Sequence, residues 1–342
     1  MLFNKIHAIN WLHPLIWSYF TVVFAWVIMH SLFGDRPWWL FVINALAFYL
    51  FVPLPLVLLI AFFLRRREVW LGMALVFALG FFLYGQPFLP WRTSSAPAER
   101  SVTVMTYNLL RYNEHTDAIT NAILASGADV VGLQELNPRV ASAIQQKLTT
   151  AYPYQQLDAQ EYGGLGVISR YPLRLSEERL RGSWGGALQI VLLSLDGELV
   201  TLLNVHVEST SLEPPSLMEK KTAKREQQVR AIMDFVAAQP RPLVITGDLN
   251  STTQNTAYRI VTDTLADSWV EAGWGMGNTF PGVLSSKSNR LNIAGIDIPT
   301  WLIRIDYVFH SRHFRAIDAH IGPWDGYSDH RPVIAQLVLD GN

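Results

Sequence analysis

The sequence predicts two parts, a membrane region of three helices followed by an α/β domain, and three observations carry this. Residues 11–33, 38–64 and 69–89 are apolar stretches without a single Lys, Arg, Asp or Glu, close to the ~20 residues that cross a bilayer as a helix. Beyond residue 101, short apolar runs alternate with amphipathic helical stretches, the pattern of layered α/β folds. In that second part, chemistry-bearing polar residues sit repeatedly at the ends of the apolar runs, where layered α/β folds place their sites. A length of 342 residues exceeds the usual ~100–200 of one domain and fits such a division.

The first span carries only His13 and His30 near its ends, and no small-residue cleavage pattern follows it, so it reads as an anchor and not as a removable leader. In the second, Pro53 and Pro55 predict a kink or a shorter span, because proline removes a backbone donor. Trp38, Trp39, Trp70 and Trp91 fall at expected interfaces. Arg65, Arg66 and Arg67 between spans two and three should stay cytoplasmic, while the link Gly34-Asp35-Arg36-Pro37 is charge-neutral. The N-terminus is then cytoplasmic, and three crossings put the rest of the chain outside. Residues 1–91 form the membrane region, 92–100 a short flexible tether, and 101–342 the second domain.

Expected strands lie at 102–107, 130–133, 166–169, 187–193, 199–206, 243–246, 305–309 and 333–339, and helical periodicity is clearest at 117–124 and 216–238. The first 97 residues hold six Lys/Arg and two Asp/Glu, so of 27 basic and 28 acidic residues 21 and 26 fall later, a net charge of minus five. That balance does not favour duplex DNA, whose binding needs a basic surface. With no cysteine, thiol nucleophiles, thiolate metal sites and disulfides are all excluded.

Six polar clusters follow in order: Thr106-Tyr107-Asn108, Gly132-Leu133-Gln134-Glu135, Asn204-Val205-His206, Gly247-Asp248-Leu249-Asn250, Arg304-Ile305-Asp306-Tyr307-Val308 and Ser328-Asp329-His330-Arg331-Pro332. Each has a plain local reading: Asn108 as a turn former, Glu135 as a helix-start residue, His206 as a structural hydrogen-bonder, Asp248 and Asn250 as an Asx-turn. Asp306 stands inside an apolar strand, and a buried carboxylate demands a partner. Asn108 and Glu135 also offer the oxygen donors that hard cations such as Mg²⁺ prefer.

The ordered set Asn, Gln-Glu, Asn-x-His, Gly-Asp-x-Asn, Ile-Asp-Tyr and Ser-Asp-His resembles the endonuclease/exonuclease/phosphatase superfamily across residues 101–339. That superfamily includes nucleases of the DNase I and apurinic-site type, inositol polyphosphate phosphatases and neutral sphingomyelinases. The resemblance implies a DNase I-like four-layer sandwich, two mixed β-sheets packed face to face with helices outside, and a metal-dependent phosphoric ester hydrolase. It makes Glu135 the main metal carboxylate, with Asn108 and Asp329 close by, for Mg²⁺ with Mn²⁺ or Ca²⁺ as alternatives. It makes Asp248 the group that orients and deprotonates the attacking water, with Asn250 positioning it. His206 and His330 would hydrogen-bond the phosphoryl oxygens, and Asp306 would hold the His330 tautomer and raise its pKa.

Three readings of function follow. The first is a phosphodiesterase or phosphatase working on a lipid headgroup or other phosphoester at the outer membrane surface. The second is an extracytoplasmic Mg²⁺-dependent nuclease, and the third a non-catalytic scaffold on a membrane anchor, against which the complete set of residues argues. The bilayer is the only other partner the sequence implies; no protein partner can be inferred. The glycine-rich 162–166 reads as a turn because a strand follows it, and the basic 220–225 as a solvated helix face or a contact for anionic headgroups. The aromatic region 269–301 reads as a substrate-side loop. Walker A, zincin-helix and nucleophile-elbow patterns are absent.

Overall fold

The computed structural model describes residues 12–64, 66–89, 101–161, 163–180, 187–211, 213–282, 292–293 and 296–339. The expected tether, Tyr162 and Leu284 lie outside the described residues. Three N-terminal segments are long and apolar enough to cross a membrane: Leu12–Phe33, Ala47–Leu64 and Arg67–Tyr84. The first is one helix, α1, and the third is α4; between them lie α2 (Trp38–Ala45), a 3₁₀ turn (Ala47–Leu50) and α3 (Leu54–Leu64). Ile16, Phe20, Val23, Leu40, Val57, Val69 and Val76 form their common core.

The second expected span therefore needs correction. The apolar stretch 38–64 is not one helix: the chain breaks at Leu46 and again before Leu54, beside Pro53 and Pro55. Its first part, α2, packs against the C-terminal domain. Asn44 on α2 is 1% exposed and is satisfied by Asp35 and the Gly34 carbonyl of the link that precedes α2, partners that hydrocarbon would not supply. The third span, α4, stops at Tyr84, short of the expected 89, and a 3₁₀ turn (Gln86–Phe88) sets Phe88 against Trp274.

The C-terminal part holds two six-stranded sheets. The first has the order β13-β14-β1-β2-β4-β3, from Phe314–Ile321, Val333–Leu339, Ser101–Asn108, Val130–Gln134, Leu165–Ser169 and Tyr154–Asp158. The second has the order β5-β6-β7-β8-β12-β9, from Leu173–Leu175, Ala187–Leu195, Glu198–His206, Leu243–Asp248, Asp306–His310 and Ala266–Asp267. Each sheet is mixed: β1 and β2 run parallel, as do β7 and β8, and the other pairings are antiparallel. A small hairpin joins β10 (Asn292–Ile293) to β11 (Ile296–Asp297).

Period-2 alternation builds the layers. Val102 and Val104 of β1 and Val130 of β2 meet Leu202 of β7, Val244 of β8 and Val308 of β12 between the sheets. The opposite faces carry helices: α5 (Thr116–Ser126) and α6 (Pro138–Leu148) cover the first sheet through Ile119, Ile123, Val140 and Ile144. The long α7 (Pro215–Ala237) and α8 (Thr256–Thr262) cover the second through Val229, Ile232, Phe235 and Val261. A short helix, α9 (Ser268–Ala272), lies between the sheets' edges near β13. This is the DNase I-like sandwich the sequence implied.

Candidate active site

The same alternation that fills the core delivers polar residues at one end of it. On β1 the inward row Val102, Val104 continues into Thr106 and Asn108; on β7 Leu202 leads to Asn204 and His206; on β8 Val244 leads to Thr246 and Asp248. Strand register then sets them side by side: Asp248 pairs with His206 on one flank and with Asp306 on the other, and Asn108 pairs with Gln134, one residue before Glu135.

The sheets approach closely behind this row. A Cβ at Gly132 would stand 2.2 Å from Thr246 Oγ1 and 3.0 Å from Asn204 Oδ1, so only glycine fits. Asn204, fully buried, ties the sheets together: it donates to the carbonyls of Leu133 and Gly166 and accepts from Gln134 Nε2 at 2.6 Å. Gly247 has φ 153° with the Val205 carbonyl where a side chain would start, which explains the glycine ahead of Asp248. Glu135 and Asn250 hold left-handed φ values of 55° and 48°, unusual for residues with a side chain and common where a site needs them.

All eight expected residues meet here. Asn108 Nδ2 lies 3.4 Å from Glu135 Oε1 and 3.2 Å from Asp248 Oδ2. His206 Nε2 stands 3.8 Å from both of those carboxylates. His330 Nδ1 and Asp306 Oδ2 form a 2.9 Å hydrogen bond, and His330 Nε2 faces Asp248 at 3.8 Å and Asp329 at 3.9 Å. Asp248 Oδ1 accepts the backbone N–H of Asn250, whose side chain donates to the Val207 carbonyl. Asn108 turns its amide oxygen to the Leu110 N–H, so it meets the carboxylates through nitrogen.

Environment pushes the titrating groups apart. Burial alone would lower His330, but the Asp306 carboxylate, by charge and hydrogen bond, holds it well above the usual imidazole range. Burial and the neighbouring Asp306 push Asp248 up to about 6. Burial also raises Asp329, partly offset by His330. For Glu135, burial is opposed by His206, the Arg111 N–H and His330, which together hold it below the usual carboxylate value.

Four carboxylates thus converge with two imidazoles, and Asp306 Oδ1 is buried without a partner among the described residues. Asp248, Asp306 and His330 offer atoms within 4.8 Å of one another, but His330 Nδ1 is already spent on Asp306. The cluster is oxygen-rich and short of positive charge, a donor set that fits a hard divalent cation beside Glu135 and Asp329.

The sequence reading missed the residues that shape the Ser328–His330 turn. Asp325 accepts from Tyr107 Oη, Asn113 Nδ2 and the backbone N–H groups of Tyr327 and Ser328. Ser328 Oγ donates to the Asn108 carbonyl and accepts the His330 N–H. The Asp325-Gly326 pair is a turn signal that could have flagged them. Phe280, from the expected substrate-side region, lays its ring 4.9 Å from that of His330. In the basic stretch 220–225, Lys221 and Lys224 pair with Glu213 and Glu208, and Arg225 is 1% exposed against Phe41. Burial pushes Arg225 down to about 10.

The fold is shared with solved structures. A truncated Caenorhabditis elegans TDP2 is 19% identical, with 70% of this chain and 98% of that one covered at a TM-score of 0.52. An endonuclease/exonuclease/phosphatase from Bacteroides vulgatus is 18% identical over 71% and 100%, at 0.52. TDP2 of D. rerio, complexed with a single-strand DNA product, is 15% identical over 69% and 98%, at 0.54. A comparison with curated protein sequences gives no match. The model of the Endonuclease/Exonuclease/phosphatase family matches residues 105–330, more than half of the chain and all eight of the clustered residues, and the chain belongs to that family.

Proposed function

We propose that the protein is a membrane-anchored, divalent-metal-dependent phosphodiesterase that works on phosphoesters of lipid headgroups at the outer membrane surface. One observation carries the lipid assignment: a single strip of chain forms both the rim of the site and the seat of the apolar helices. Phe280 faces His330 and pairs with Ile303; the neighbouring Leu302 carbonyl accepts from Tyr49 Oη. Met276 packs on the core of the apolar helices, and the Gly275 N–H donates to the Pro87 carbonyl. A phosphoester held in the bilayer would have a short path to such a site. The charge rule supports the orientation, with Arg66 and Arg67 at the end of the helices remote from the link 34–37 in sequence and the catalytic domain following the third crossing.

In this reading Asp248 takes a proton from water as its oxygen attacks phosphorus, with Asn250 fixing the Asp248 carboxylate through its backbone N–H. His206 and the imidazolium of His330 donate to the phosphoryl oxygens as charge accumulates there, and Asp306 stabilises that imidazolium. A divalent cation held by Glu135, with Asp329 and Asn108 nearby, would act as a Lewis acid on the phosphoryl group. The P–O bond to the leaving group then breaks in line with the attacking water.

The test compares vesicles of mixed phospholipids with DNA and RNA at equal Mg²⁺, using the full chain. Release of phosphorylated headgroup is expected. DNA cleavage without lipid turnover would refute the lipid assignment and favour a nuclease; the D. rerio TDP2 structure holds a single-strand DNA product. Hydrolysis of no phosphoester at all would favour a scaffold.

A further inference from the structure

The link between α1 and α2 reaches into the catalytic domain. Asp35 is 2% exposed, and its carboxylate accepts three N–H groups: Asn44 Nδ2 at 2.8 Å and Asn255 Nδ2 at 3.0 Å on one oxygen, and the Thr256 backbone N–H at 2.6 Å on the other. Asn255 holds the N-cap position of α8, yet its side chain does not cap that helix. Its oxygen is taken by the backbone N–H and the hydroxyl of Thr252, and its nitrogen by Asp35 and the Phe41 carbonyl. Asp35, some 220 residues away in the chain, takes a different free donor of α8, the N–H of its first residue, Thr256.

The turn fixed in this way is the one that carries the site. Asn250 sits at its start with a left-handed φ of 48°, Ser251 is held through its carbonyl by Tyr307 Oη, and Thr252 is closed onto Asn255. A left-handed asparagine persists only where its surroundings hold it.

We propose that Asp35 is a positioning residue of the active site: through Asn255 it holds the 250–256 turn, and with it Asn250 and the Asp248 carboxylate, in the working arrangement. The membrane region is then part of the catalytic unit as well as its anchor. This rests on the hydrolase reading above for its kinetic arm alone.

The test uses the detergent-solubilised full chain with Mg²⁺ and bis(4-nitrophenyl) phosphate, a soluble diester that makes no demand on membrane access. Asp35→Ala should lower kcat by about tenfold to a hundredfold with KM within about twofold, the pattern of a misplaced catalytic group. Asp35→Asn, which keeps one acceptor oxygen, should fall between Ala and wild type. Asn255→Ala should match Asp35→Ala, and the double variant should be no worse than either single one, because both break one linkage. Arg36→Ala, exposed in the same link, should leave kcat unchanged. A kcat for Asp35→Ala and Asp35→Asn within twofold of wild type, or losses at Asp35 and Asn255 that multiply, would overturn the proposal. If the wild type hydrolyses no diester, the hydrolase reading fails and amide hydrogen exchange decides this one. Faster exchange at residues 250–256 in Asp35→Asn than in wild type and Arg36→Ala upholds it; equal exchange overturns it.

Discussion

Replacing Asp306 by Asn tests the electrostatic core of the proposed mechanism while changing almost no volume. His330 and Asp306 are 5% and 1% exposed and joined at 2.9 Å, and the carboxylate is what keeps the imidazole charged against the cost of burial. Asparagine removes that support, so His330 becomes neutral near neutral pH and offers the transition state a dipole where it had offered a charge. Loss of one preorganised donor of this kind is worth about 3–4 kcal/mol, so kcat should fall by about a hundredfold to a thousandfold. KM should change little, because the developing charge is absent from the bound substrate. The sign with pH is opposite to that of a lost base: acid restores the imidazolium, so the ratio of variant to wild-type kcat should rise as pH falls. Steady-state kinetics on a soluble phosphodiester between about pH 5 and pH 8 measures both effects. A kcat within threefold of wild type, or a ratio independent of pH, would refute the role given to the pair.

Metal binding should be linked to protons. Asp248 and Asp329 both have folded pKa values raised above their unfolded ones, so the stability they contribute is complete below about pH 4 and is lost as pH rises through the folded values, about 6 for Asp248. Mg²⁺ should offset that loss, so the Mg²⁺-induced rise in melting temperature should be larger near pH 7.5 than near pH 5, and Glu135→Gln should abolish most of it along with activity. An equal rise at both pH values would argue against these ligands. Asn204→Ala should cost about 2–4 kcal/mol in urea unfolding, because it orphans the buried carbonyls of Leu133 and Gly166 and the Gln134 amide; a loss under about 1 kcal/mol would show that Asn204 does not tie the sheets. Since the chain has no cysteine, single cysteines at Arg66 and Tyr112 can report topology. A membrane-impermeant thiol reagent applied to intact cells should label only the second, and labelling of the first alone would invert the proposed orientation.

Much of this protein was legible because its determinants are local or periodic. Charge-free apolar stretches mark the three helical segments that could cross a bilayer, and period-2 runs mark the central strands β1, β2, β7, β8 and β12. The six polar clusters were found because each sits at or beside a strand end, where chain order alone reveals it. Edge strands were harder. The alternation of β13 is interrupted by a register shift between Ala316 and Asp318, so it gave no clean pattern. Hydropathy likewise merged 38–64 into one span, since it weighs average apolarity and cannot see that Asn44 finds buried polar partners in the link before it.

Chain order alone marked the residues that the fold gathers in one cluster: Asn108, Glu135, His206, Asp248, Asn250, Asp306, Asp329 and His330 each belong to a polar group at or beside a strand end. Only the tertiary structure decided how they are supported. The tie from Asn204 to two strands of the opposite sheet and the reach of Asp35 to Asn255 each join residues far apart in sequence. Such contacts leave no period and no motif, because a hydrogen bond depends on where two groups meet in space and not on how many residues separate them.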